Sequence, residues 1–134
     1  MDKIPLYGEA ALKAVGILKC DPSKTPPQAW KLAIGVVTKS EASRKKGCPR
    51  NAFLGLCEEG YLEGIPQGNY TNSKENKCYA LQAVEQLRRH PELANSPAAL
   101  WNRIEKTAEN HQGQMHVVIA LWEEGLINRE KLGK

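Results

Sequence analysis

The chain has 134 residues, of which 41% are apolar and 25% charged, and it carries a net charge of +4. This balance excludes wholesale disorder, and no apolar run approaches the roughly 18 residues that a membrane-spanning helix requires. The length supports one body over residues 1–134, or two small halves that depend on each other for a core.

Residues 1–5 carry no apolar leader, so the expected location is cytoplasmic. From residue 8 to 19, Ala11, Leu12, Ala14, Val15 and Leu18 recur at helical spacing and make one apolar face. Asp21-Pro22 and Pro26-Pro27 then break the chain, and Thr25 or Pro27 can open a second helix. That helix buries Trp30, Ile34 and Val37 and fades near Lys39, where β-branched residues weaken helical preference.

A polar loop follows. Residues 39–50 hold Lys39, Arg44, Lys45, Lys46 and Arg50 against Glu41 alone, so this stretch carries the whole positive excess. Gly47-Cys48-Pro49 restarts a helix with Ala52, Phe53, Leu56 and Cys57 on its buried face, and Gly60 stops it. Residues 61–76 mix glycine, proline, asparagine and serine with Tyr61, Leu62, Ile65 and Tyr70. That composition fits an ordered loop or a short β-hairpin at about 61–71.

The pattern then begins again. Ala80, Leu81, Ala83, Val84 and Leu87 repeat the first stripe in identity and spacing, and Pro91 repeats Pro22. Ser96-Pro97 precedes Trp101 as Thr25-Pro26 precedes Trp30, and Ile104 and Ala108 extend the stripe. A short linker, residues 110–114, leads to a closing helix built on Val117, Val118, Leu121 and Trp122. Its ending, Leu121-Trp122-Glu123-Glu124-Gly125-Leu126, repeats Leu56-Cys57-Glu58-Glu59-Gly60-Tyr61. In both, glycine can take the left-handed conformation after the helix, so that Tyr61 or Leu126 folds back on the last turn. The expected fold is therefore all-α, with a three-helix unit repeated over residues 8–65 and 77–129. Trp30 and Trp101 should be equivalent core anchors.

A helix that ends in this way and exits as a strand resembles the recognition helix and wing of winged-helix DNA-binding domains. The resemblance implies a DNA-binding regulator with Arg44, Lys45 and Lys46 on phosphates. The spacing departs from it, since about ten residues separate the second and third helices of the first unit, where a helix-turn-helix has three or four. The run from Gly47 to Gly60, with Gln114-Met115 opening the matching helix, also resembles a small bacterial domain family of unassigned function. That resemblance implies a bacterial or phage origin and no particular activity.

Catalysis has little to stand on. Cys57 lies on the apolar face beside Glu58 and Glu59, which suits a core thiol. Cys48, near Arg50 at a helix start, is the one thiol whose surroundings favour a thiolate, yet no histidine is placed to pair with it. Cys20, Cys48, Cys57 and Cys78 form no Cys-x-x-Cys pair and read as reduced thiols, with no metal and no cofactor expected. His111 and His116 flank a turn. The paired glutamates oppose the helix dipole, so each pair invites a cationic partner from the other half. The expected contact face combines the basic loop 39–50 with the inter-repeat loop 61–76, through Arg44, Lys45, Lys46, Arg50, Asn69 and Tyr70. A non-catalytic binding module with a protein partner is the favoured function. Nucleic acid held through the basic loop is the alternative, and no membrane contact is expected.

Overall fold

The helices read from the periodicity are present in the computed structural model, which describes residues 4–106 and 113–128. Helix α1 (Leu6–Cys20) follows Pro5 and ends where Asp21 accepts hydrogen bonds from the Ser23 amide and hydroxyl. Helix α2 (Pro26–Val37) opens on a reciprocal cap: Thr25 accepts from the Gln28 amide, and Gln28 accepts from the Thr25 amide. Within the basic loop, Ser40 caps a single turn, α3 (Glu41–Arg44), which the loop composition had hidden.

Helix α4 (Gly47–Glu58) is buried from Ala52 through Cys57 without a break. A helix apolar on every side belongs at the centre of a bundle, and α4 touches α2, α5 and α7. Helix α5 (Lys74–Arg89) leads through a 3-10 turn (Pro91–Asn95) into α6 (Pro97–Asn102), and α7 (Gln114–Glu123) closes the body. Helix α6 stops short of the expected stripe. Ile104 is buried nonetheless, just beyond the helix end, while Ala108 and His111 lie outside the described residues. No described helix is long and apolar enough to cross a membrane.

Both Glu-Glu-Gly endings close in the same way. Gly60 and Gly125 have φ of 76° and 70°. Tyr61 N–H donates to the Leu56 carbonyl and Leu126 N–H to the Leu121 carbonyl, each at 3.0 Å. This is the paired glycine cap that satisfies the orphan carbonyls of a helix end. The two exits then run antiparallel, with a bridge between Leu62 and Ile127 and a 2.7 Å bond from Asn128 N–H to the Tyr61 carbonyl. The hairpin considered at 61–71 does not form. The strand-like exit finds its partner in the matching exit at the other end of the chain, and the described residues hold no further strand.

Packing crosses the halves. Helix α1 rests on α2 and α7, while α4 rests on α5. Two of the crossing contacts, α4 with α5 and α1 with α7, bring the chains close at a glycine. A Cβ on Gly55 would lie 2.7 Å from Lys77 Cβ, and one on Gly8 would lie 3.0 Å from Ala120 Cβ. In the sequence correspondence Lys77 stands where Gly8 does, and Ala120 where Gly55 does. Trp30 and Trp101 are both buried, but their aromatic neighbours differ. Trp30 meets Phe53 of α4 at a ring separation of 5.4 Å, whereas Trp101 meets Tyr79 of α5 edge-on at 5.2 Å.

A candidate binding cleft between the basic loop and the inter-repeat loop

One row of α2 side chains, Pro27, Trp30, Lys31, Ile34 and Gly35, falls at helical spacing and forms a wall. Opposite it stand Arg50, Asn51 and Leu54 of α4, with Arg44 and Lys45 from the basic loop. Tyr70, Thr71, Asn72 and Ser73 complete an open cleft of about 920 Å³. The two loops singled out in the sequence thus meet around one space. Of the six expected contact residues, Arg44, Lys45, Arg50 and Tyr70 line it. Lys46 precedes α4 and is not part of the lining, and Asn69 turns to a smaller hollow beside Glu58 and Lys77.

The position of residues 70–73 is fixed by Glu58. Its Oε1 accepts from the Tyr70 amide at 2.7 Å and the Thr71 amide at 3.1 Å, and its Oε2 from Lys77 Nζ at 2.7 Å. Lys77 also pairs with Glu59. The Lys77 ammonium and, after it, the Tyr70 amide hold the Glu58 carboxyl down to about 2. The first glutamate pair therefore has its cation from the second half. Glu123 and Glu124 are exposed, without a comparable ion pair among the described residues, so the two endings differ in their charge partners.

Further bonds stiffen the loop. The Thr71 hydroxyl donates to Asn51 Oδ1 at 2.7 Å and accepts from the Ser73 amide. Ser73 Oγ caps α5, and the Tyr70 hydroxyl donates to the Pro66 carbonyl at 2.8 Å. A segment whose composition also suited a plain linker is an ordered wall.

Arg44 has a second task. Its Nε donates to the Thr38 carbonyl at 2.7 Å and its Nη2 to the Gly35 carbonyl at 2.9 Å, which closes the C-terminal end of α2. Replacing Arg44 with alanine is expected to lower stability by about 1 kcal/mol. Lys45→Ala should leave a thermal melt unchanged, because Lys45 makes no such bond. Equal melts for the two variants would remove the capping role.

Lys31, Lys45 and Arg50 are exposed, and their side chains have no ion pair or hydrogen bond to the described residues. No carboxylate, histidine or thiol lines the cleft among the described residues. The lining can therefore attract anions and donate hydrogen bonds. Cys57 is fully buried in α4, and burial pushes its thiol well above the ordinary range. The four cysteines are unpaired, and no cluster of metal-ligating side chains occurs among the described residues. Lys31 and Asn51 line the cleft from outside the expected contact face, whereas Asn72 falls within the 61–76 loop. Lys31 was legible in principle, since it shares the helical row of Pro27 and Gly35.

A family model described as a family of unknown function (DUF6979) matches residues 1–128. No curated protein and no solved structure matches the chain.

Proposed function

The chain belongs to the DUF6979 family of unknown function, and we propose that it is a non-catalytic binding module that holds a protein partner at the cleft between α2, α4 and residues 70–73. The observation that carries this reading is the pairing of exposed cations with an apolar floor in a cleft that has no carboxylate, histidine or thiol among its described lining residues. The setting that suits four unpaired thiols is a reducing one, and we place the protein in the cytosol.

Duplex DNA is less well served. A recognition helix must present an outward row of polar side chains, whereas α4 is buried from Ala52 through Cys57. The hairpin that would act as a wing is not formed.

A pull-down comparing the native chain with Lys45→Glu/Arg50→Glu tests the reading. A stoichiometric protein retained by the native chain and by a Lys13→Glu control on α1, but lost by the double variant, is the expected result. Retention of the same protein by all three would move the contact face elsewhere.

A further inference from the structure

The lining of the cleft narrows the class of ligand. Its free cations come from three separate segments: Lys31 from α2, Lys45 from the turn after α3, and Arg50 from the first turn of α4. Asn72 is exposed, and Asn51 has committed its carbonyl to Thr71, which leaves its NH₂ as a donor. With donors on every side and no carboxylate among the described lining residues, the ligand must bring several negative charges and many acceptors. Charge carried by separate segments suits a series of anions along a chain better than one compact anion.

Two chains have that character, and the aromatic side chains separate them. A nucleic-acid strand is held by stacking its bases on exposed rings. Trp30 is only 1% exposed, and the Tyr70 ring lies against Gly68 with its hydroxyl bound to Pro66. The described lining thus holds no series of exposed rings on which successive bases could stack. The floor is instead aliphatic, from Ile34 and Leu54. An aliphatic floor between basic walls suits a partner that is both acidic and apolar.

Resting on the reading above, we infer that the cleft takes an acidic, extended peptide segment of the partner with a large apolar side chain among its carboxylates. The carboxylates meet Lys31, Lys45 and Arg50. The apolar side chain covers the Ile34 and Leu54 floor, and the Asn51 and Asn72 amides bond the main-chain carbonyls.

Fluorescence anisotropy with the full chain tests this. The probe is a labelled peptide of about twelve residues with glutamates around a central leucine pair. The comparators replace the leucines with alanine, replace the glutamates with lysine, or are an oligothymidylate of similar length. The acidic leucine peptide is expected to bind tightest, and to weaken about tenfold with Lys45→Glu/Arg50→Glu but not with Lys13→Glu. The alanine peptide should bind several-fold more weakly. Unchanged circular dichroism confirms that the variants fold. Tighter binding by the oligothymidylate, lost on the same two reversals, would overturn the peptide assignment and leave the cleft as the contact face. Binding that ignores the reversals for every probe would overturn the cleft itself. No binding of the acidic peptide overturns the inference.

Discussion

Gly55→Ala should destabilise the protein by about 2–3 kcal/mol, although alanine in place of glycine inside a helix ordinarily stabilises by about 1 kcal/mol. The new Cβ would sit 2.7 Å from Lys77 Cβ and 2.8 Å from Lys77 Cα. The second of these is backbone, so no change of rotamer relieves it. Helices α4 and α5 must separate, and a close-packed interior resists that. Gly16 supplies the control, because a Cβ there meets nothing within 4 Å on the same kind of helix. Gly16→Ala should gain up to about 1 kcal/mol by propensity alone. Urea denaturation of both variants decides the matter. If Gly55→Ala proves as stable as Gly16→Ala, the close approach of α4 and α5 is wrong.

Glu58→Gln should cost about 2 kcal/mol at neutral pH and remove much of the acid sensitivity of the fold. The Glu58 carboxyl titrates at about 2 in the folded protein, against an ordinary value of 4.5. In the window between those values the unfolded chain binds the extra proton, so stability rises with pH there and falls as acid is added. The contribution is complete above about pH 5 and is lost progressively towards pH 2, on the order of 3 kcal/mol in all. Denaturation midpoints measured from pH 6 to pH 2 should fall more steeply for the native chain than for the variant. Parallel slopes would show that Glu58 is not the group responsible. The same substitution loosens the wall of the cleft, so amide exchange at Tyr70 and Thr71 should quicken.

How much of this was written in the sequence differs from place to place. The glycine-capped endings were legible because the code is local: an apolar turn, a glycine and a residue that folds back. Burial of Trp30 and Trp101 was legible from periodicity, but their neighbours were not, since those come from α4 and α5. Ile104 shows the limit of periodicity, which reports burial and not the continuation of a helix. The strand-like exits at Leu62 and Ile127 had a readable need for a partner. Alternation names no partner, however, and a hairpin looked as natural as the distant match. The basic loop and the inter-repeat loop were each visible as chemistry. Their meeting depends on Glu58, whose unfavourable place at a helix end hinted at a distant cation without naming Lys77. The repeat itself we hold as a proposal, supported by the matched endings and by the glycine at the contacts of α4 with α5 and of α1 with α7. The half-length α6 and the unlike surroundings of the two tryptophans stand against a strict doubling.

Because α1 lies on α7 as well as on α2, the side of α1 that α7 covers stays open until synthesis has passed residue 123. Helix α4 is in a like position on the sides that α5 and α7 cover. Part of the core thus closes late, and a polypeptide released before residue 114 would leave those sides of α1 and α4 bare to chaperones and proteases.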